Sequence, residues 1–389
     1  MVPNHIVIYI DSPNRAKFFS SFVPLFENLQ IEFTFLTNKL SALRMLPKEH
    51  TIALRNRNTR RLKRNYDFLH NSLSVLNGYH TFNEAVQIAN DIWSQLDGLT
   101  FDMLWIWNGT TTIERALSEF AKTHAIKRKY FEISNIENRI FIDPYGISGD
   151  SILFQNPKIL DRYDYDADAF EKWRKRYKNK KKEQSTKLKN KIPFYAFVDF
   201  AGYRLYNYIR EDRRKIVTLA KQRFSNNFMQ MPFDEVDLKK KYILLPLQVG
   251  NDSQIQLYSS YNNKHIIKEA LKIARENKAF LYIKPHPREE DPKEIATIKH
   301  FLQEKDVFLV NEDLFDLIEH ATKVVVNNST VGLEAKLLDK EVEVFGDAYY
   351  KFFDKERARK YIMNYLPKIE YPQPKIDKRE FLRIFQEVE

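Results

Sequence analysis

Lys284-Pro285-His286-Pro287 puts a cation and an imidazole on a corner that two prolines make rigid. The corner follows Ala279-Phe280-Leu281-Tyr282-Ile283, an apolar run that reads as a buried strand. Neither proline can donate to a strand ladder and each fixes its own φ, so the strand stops there. Ligands of open α/β sheets sit at that end of a strand. A lysine point charge beside a histidine donor suits a phosphate or a carboxylate. A plain surface turn fits the same four residues, but two flanking segments weigh toward a ligand.

Upstream, Tyr242-Ile243-Leu244-Leu245-Pro246-Leu247 reads as a second buried strand, running into Gln248-Val249-Gly250-Asn251-Asp252-Ser253. Downstream, Lys323-Val324-Val325-Val326 reads as a third, running into Asn327-Asn328-Ser329-Thr330-Val331-Gly332-Leu333-Glu334-Ala335. Strand, polar end and helix in three repeats is the pattern of a nucleotide-binding α/β domain, and it predicts that the polar ends line one edge of one sheet. Ser329 and Thr330 precede a helix expected from Val331, whose unpaired N–H groups and dipole favour an anion. Gly332 would let a phosphate approach. An ordinary Ser/Thr cap is the plain alternative. Glu334, about one turn into that helix, could accept both hydroxyls of a ribose, or could be an exposed helical glutamate. Asp252 has two readings. Near an anomeric carbon, a carboxylate stabilises an oxocarbenium-like centre or forms a covalent adduct. After Gly250-Asn251 it also suits an Asx turn.

Taken in order, Gln-x-x-x-Asp-Ser, Lys-Pro-His-Pro and Asn-Ser-Thr-x-Gly-Leu-Glu-Ala resemble the bacterial capsule-polysaccharide β-Kdo glycosyltransferases, over roughly Lys241 to Tyr349. The resemblance implies a GT-B-like α/β fold, two Rossmann-like domains facing a cleft. It implies retaining transfer of Kdo from CMP-Kdo to a glycan or glycolipid in capsule or lipopolysaccharide assembly. By that resemblance Asp252 is the nucleophile at C2 of Kdo, and Gln248 and Ser253 orient the donor. Lys284 and His286 stabilise the departing CMP. Asn328, Ser329, Thr330 and Gly332 surround the phosphate and Glu334 takes the ribose. Fixed cations would replace a metal, and no cofactor beyond the donor is expected. Asp339-Lys340-Glu341 departs from the Gly-Lys-Pro more usual after that helix. A CMP-sialic acid or CDP-glycerol transferase of similar architecture fits the same corner and helix start, and an inactive membrane-docking module is a rival of another class.

The elements that must position these groups span 389 residues, enough for two domains. Residues 1–149 read as a Rossmann-like acceptor domain, 150–235 as a helical basic connector or insertion, 236–370 as the nucleotide-sugar domain, and 371–389 as a helix packing back on the first domain. The first domain opens with strand His5–Ile10, a helix over Ala16–Leu29 and strand Ile31–Leu36, without a Gly-x-Gly-x-x-Gly. Asp11 and Ser12 read as caps. Leu40 to Tyr79 reads as mostly helical, and Phe141 to Gly146 as a loop leaving the domain. Asn108 and Glu132 end two further strands and are the acceptor-side candidates. A structural role fits each equally.

The net charge of +11 suggests nucleic acid, but it is local. Lys172 to Lys191 holds eleven Lys/Arg and one Glu, a net +10, and the remainder is nearly neutral, which argues against a general nucleic-acid surface. Trp173 and Tyr177 interleave those cations, a mix suited to an anionic membrane surface or to a solvated helix face. Asp161, Asp164, Asp166 and Asp168 fail as a calcium loop, since Ala169 and Lys175 occupy the positions that need Gly and Glu. Metal ligation is therefore not expected. The chain has no cysteine, and its first residues read as a strand rather than a signal peptide. No apolar run nears the ~20 residues that span a bilayer. The expected place is the cytoplasm, with peripheral attachment to the inner membrane through the basic segment.

Overall fold

The computed structural model describes residues 2–60, 64–134, 136, 138–184, 195–210, 231, 233–235, 237–374 and 376–386. The chain divides into two units. One comprises Met1–Ile147, Lys189–Leu219 and Leu366–Glu389, and the other Ser148–Leu188 and Ala220–Tyr365. The stretch 150–235, expected as a connector, is thus shared between the units rather than forming one of its own.

The first unit is built on a six-stranded sheet: β1 (His5–Ile10), β2 (Glu32–Thr37), β3 (Thr51–Ala53), β4 (Met103–Trp107), β5 (Lys127–Ile133) and β6 (Ile140–Asp143). Its order is β3-β2-β1-β4-β5-β6, parallel except for β6. The chain runs outward from β1 to β3, then crosses back to β4 on β1's other side, so the order reverses between β1 and β4. Helices Phe82–Leu96 and Thr112–Thr123 each start with a capping box, Thr81 with Glu84 and Thr111 with Glu114. Ile88, Ile92, Ile113 and Leu117 bury their apolar stripes on one face of the sheet. The other face is aromatic, with Phe18, Phe19, Phe22, Trp105 and Phe131 packed with Phe381 and Phe385 of the C-terminal segment.

Three local expectations change. The helix expected over Ala16–Leu29 is two, Pro13–Ser20 and Val23–Asn28, because Pro24 has no N–H to continue the first. Leu40 to Tyr79 carries only short helical turns and contains β3, whose three residues are strand because they pair with Phe35–Thr37 of β2. Such an edge is set by its partner rather than by its own propensity. Phe141 lies in β6, not in a loop. A short connection after β5 turns the chain back antiparallel, and Ile140, Phe141 and Ile142 are buried there.

The second unit carries β7 (Tyr242–Pro246), β8 (Phe280–Lys284), β9 (Val307–Leu309), β10 (Lys323–Val326) and β11 (Val342–Val344), in the order β11-β10-β7-β8-β9 and all parallel. Here the order reverses between β7 and β10. The ends of β7, β8 and β10 lie along one edge, as the threefold repeat predicts. The basic helix Ala167–Gln184 belongs to this unit. Tyr177 is buried edge-on against Phe315, and Arg174, Lys178 and Lys181 reach Asp339, Glu319 and Glu334. One face of the helix is therefore docked, while Lys172, Lys175 and Arg176 are exposed. The rest of the basic segment, from residue 185, lies outside the described residues. No helix of the described residues is long and apolar enough to cross a membrane.

Candidate functional site

In the second unit the edge is assembled at the β7/β10 reversal. Gln248 Nε2 donates to Asn328 Oδ1 at 3.1 Å, and the Asn328 backbone N–H donates to Gln248 Oε1 at 3.3 Å. Asn328 Nδ2 donates to the Gln254 carbonyl at 2.8 Å. Both side chains are buried. They tie strand ends together, which makes them positioning residues in the geometry seen here.

Asp252 caps helix Ser253–Tyr258, with Oδ1 accepting from Gln254 N–H at 2.8 Å. The Asx geometry read from sequence is thus present. It uses one oxygen, and Oδ2 accepts no hydrogen bond from the described residues. His286 lies within electrostatic reach of Asp252. Its Nδ1 accepts from the Arg288 backbone N–H at 3.1 Å. A nitrogen that accepts is unprotonated, so the ring's hydrogen sits on Nε2, the free donor. Burial, then the Arg288 charge, hold the imidazole below its ordinary range against the pull of Asp252, which keeps it neutral at pH 7. Lys284 Nζ donates to the Glu312 carbonyl at 2.8 Å, and burial lowers its pKa against the opposing carboxylates of Glu312 and Asp313.

Two carboxylates that the sequence reading passed over hold this edge in place. Glu289 Oε2 accepts from the Gly250 N–H at 2.7 Å and Oε1 from the Asp291 N–H at 2.9 Å, while the Glu289 N–H donates to the His286 carbonyl at 3.0 Å. Glu289 thereby joins the Asp252 loop to the His286 corner. A Cβ on Gly250 would lie 2.5 Å from Glu294 Cγ, so the loop needs glycine there. Glu294 in turn accepts from Asn263 at 2.9 Å, and burial raises its pKa, with the charges of Glu289 and Asp291 adding to the rise. No local pattern marks the roles of these residues; the partners that decide them, Gly250 and Asn263, lie 39 and 31 positions away.

At the end of β10, Ser329 Oγ accepts from the Val331 N–H at 3.3 Å. Thr330 is the helix N-cap but makes no side-chain capping bond. Ser253 Oγ and Thr330 Oγ1 bond to none of the described residues. Gly332 corrects its sequence reading. A Cβ there would lie 2.6 Å from Tyr350 Oη and 2.8 Å from Val326 Cγ2, so the missing side chain is filled by the protein itself, not left for a phosphate. Glu334 is buried rather than exposed. Its Oε1 takes the Tyr177 hydroxyl at 2.7 Å and lies 3.4 Å from Lys181 Nζ.

The first unit has its own cluster at the β1/β4 reversal. The pairing Ile8↔Trp105, continued three residues, sets Asp11 level with Asn108, and Trp107↔Phe131, continued one, sets Asn108 level with Glu132. The two acceptor-side candidates thus stand side by side. Asn108 adopts φ 57°, and its buried Oδ1 has no hydrogen-bond partner among the described residues. Gly109, at φ 80°, packs so closely on Tyr130 that a Cβ would lie 2.5 Å away. Ser12, not Asp11, caps the first helix. Asp11 instead takes both its oxygens to Arg15 Nη1 at 3.0 Å, and the guanidinium lies 4.6 Å above the Trp107 ring. Glu114, missed in sequence, is 2% exposed. Burial and then the Asp11 charge raise its pKa to about 7.

Over 124 residues the chain is 32% identical to the capsule polysaccharide export protein KpsS of Escherichia coli, covering 29% of this chain and 32% of that one. Over 137 residues it is 34% identical to protein FixF of Sinorhizobium fredii, covering 33% and 32%. The chain therefore spans about a third of the length of these curated relatives. Among solved structures, the β-Kdo 2,7 transferase of Thermosulfurimonas dismutans KpsC is similar at 15% identity and a TM-score of 0.45, over 98% of this chain and 99% of that one. Residues 106–357, more than half the chain and including the second unit's strand-end cluster from Gln248 to Glu334, match the model of the capsule polysaccharide biosynthesis proteins, and the chain belongs to that family.

Proposed function

We propose that the protein is a glycosyltransferase that moves Kdo from CMP-Kdo to a glycan or glycolipid hydroxyl, with retention, in capsule polysaccharide synthesis. The observation that carries this reading is Asp252. Its Oδ1 is fixed as a helix cap while Oδ2 accepts no hydrogen bond from the described residues, so the carboxylate is held by one oxygen with the other to spare, within electrostatic reach of a neutral His286. In the first step Asp252 Oδ2 attacks C2 of Kdo as the bond from C2 to the phosphate oxygen breaks, and CMP leaves with the electron pair. Lys284 and the Nε2–H of His286 meet the charge that develops on that phosphate. In the second step the acceptor hydroxyl attacks C2 and releases its proton to solvent, while the C2–Oδ2 bond breaks and Asp252 leaves as the carboxylate. Two inversions give retention. Glu334, with Oε1 fixed by Tyr177 and Lys181, offers Oε2 to the ribose. Ser253 and Thr330 supply free hydroxyls along the same edge.

The test is CMP release from CMP-Kdo in EDTA, with intact-mass detection of a Kdo adduct. Turnover and an adduct in the wild type, both absent in Asp252→Ala, support the reading. Turnover that persists in the variant removes Asp252 from the nucleophile role. Turnover only with CMP-sialic acid or CDP-glycerol replaces the donor, and none with any of the three leaves a binding role.

A further inference from the structure

Helix Tyr195–Leu205 of the first unit inverts the usual amphipathic order. A surface helix of a water-soluble domain buries its apolar stripe and shows its polar one. Here the buried positions are Asp199 and Gly202. Asp199 Oδ1 accepts from the Ser41 N–H at 2.9 Å, and a Cβ on Gly202 would lie 2.9 Å from Leu40 Cβ, so docking on that side uses a carboxylate and a missing side chain. On the opposite face Phe197, Phe200 and Arg204 follow at steps of three and four, and Leu205 and Tyr206 adjoin them. Phe197 is 67% exposed and Leu205 74%. Arginines rim this ridge. The Arg204 and Arg210 guanidinium groups lie 5.9 and 5.6 Å from the Phe200 ring centre. Beyond the helix, Arg55 bridges antiparallel to Tyr208, its guanidinium 5.5 Å from that ring, and the Asn56 N–H donates to the Asn207 carbonyl at 2.9 Å. The loop after β3 thus runs alongside and exposes Arg55, Arg57 and Arg60. Gln95 accepts from the Arg55 N–H at 2.9 Å and Asp91 from the Thr59 N–H at 2.8 Å, which fixes the loop on the sheet's helix Phe82–Leu96.

We propose that this face of the first unit docks on an anionic bilayer, with Phe197, Phe200 and Leu205 entering the headgroup boundary and the arginines of both segments meeting lipid phosphates. Charge complementarity selects the occupant. Residues 54–60 and 195–210 carry five arginines against a single acid, Asp199, which is buried. A soluble polyanion would use those cations and gain nothing from exposed Phe197 and Leu205. A bilayer uses both, since cations are attracted to its surface and apolar side chains of a flat-lying helix enter it. The sequence places attachment on Lys172–Lys191 instead. There Arg174, Lys178 and Lys181 are engaged by acids of the second unit, and the exposed residues of that helix, Lys172, Lys175 and Arg176, include no apolar side chain to insert. The aromatic face stands or falls independently of the glycosyl-transfer reading.

Vesicle co-sedimentation of the full chain tests this, with phosphatidylcholine vesicles that hold about 30% phosphatidylserine and with phosphatidylcholine alone. Wild type is expected to bind the anionic vesicles at least tenfold more tightly than the neutral ones. Arg55→Gln, Arg57→Gln and Arg60→Gln together should weaken binding about a hundredfold. Phe197→Gln with Phe200→Gln should weaken it about tenfold while leaving every cation in place. Lys172→Gln, Lys175→Gln and Arg176→Gln together, on the second unit, should change it less than twofold. The chain has no cysteine, so an environment-sensitive fluorophore on Phe197→Cys reports that position alone. Its emission should shift to the blue with anionic vesicles, and the same fluorophore on Lys175→Cys should not shift. Circular dichroism checks that the variants fold, as substitutions at exposed positions should allow. No binding of wild type to anionic vesicles overturns the proposal. Loss of binding in the second unit's variant, with none in the other two, moves the attachment to the basic segment and overturns it equally. Dependence on the arginines without dependence on Phe197 and Phe200, and without the emission shift, makes the face a general polyanion surface and removes the bilayer as its occupant.

Discussion

The two sheets place a polar pair at the same topological position and treat it in opposite ways. At the β7/β10 reversal Gln248 stands level with Asn328, and two amides close on each other through two hydrogen bonds. At the β1/β4 reversal Asp11 stands level with Asn108, and the asparagine's buried oxygen has no donor among the described residues. The second unit consumes its first layer of polar groups in fixing the edge, so the atoms left over for the proposed chemistry are Asp252 Oδ2 and His286 Nε2. The first unit holds two carboxylates near each other and leaves acceptors open. A strand end can thus be saturated by its own side chains or keep an acceptor open, depending on whether those side chains satisfy one another.

The sharpest way to test the rigid edge is Asp252→Asn. Asparagine caps a helix as well as aspartate does, so the thermal midpoint should hold while CMP release falls by about 10³-fold or more. Lost stability with retained turnover would make Asp252 a cap alone. For the unfilled edge, Glu114 carries the next largest effect. Its pKa is raised in the folded chain, from an ordinary 4.5 to about 7, so the native state holds a proton that the unfolded chain has released across that window. Its contribution is complete below about 4.5 and is lost as pH rises toward 7, by up to ~3 kcal/mol. Urea unfolding of wild type and Glu114→Gln at pH 5 and pH 8 measures this. An equal pH difference in both would show that the carboxylates are not coupled.

Smaller effects test how tightly the second unit is filled. Gly332→Ala drives a methyl group against Tyr350 and Val326, and should cost about 2 kcal/mol of unfolding free energy. A neutral result would reopen Gly332 as space for a ligand. Tyr177→Phe removes the hydroxyl that fixes Glu334 and should cost about 1 kcal/mol, read from the same unfolding curves. It should also raise KM for the donor more than it changes kcat, because a carboxylate freed to rotate binds ribose less well in ground and transition states alike. An unchanged KM would separate Glu334 from the nucleotide.

Sequence legibility follows the same division. The runs Tyr242–Leu247, Ala279–Ile283 and Lys323–Val326 are continuous and apolar because strands buried on both faces admit little else, so three parallel strands and their polar ends could be read without a structure. Asp252, Lys284 and His286 lie within a few residues of those runs, and local chain stiffness alone placed them. Residues whose roles come from distant partners were not legible. Glu289 looked like one acid among several until Gly250 was found against it. Gly332 read as an opening until Tyr350 filled it, and β3 read as helix until β2 paired with it. The sequence by itself determined the buried parallel strands of the second unit, where they stop, and which polar side chains stand at their ends, since these depend on hydrophobic period and on backbone-restricting residues. Only the tertiary structure decided which side chains saturate one another and which stay open. That balance is fixed by contacts between positions far apart in the chain: Gln248 with Asn328, Glu334 with Tyr177, and Gly250 with Glu289.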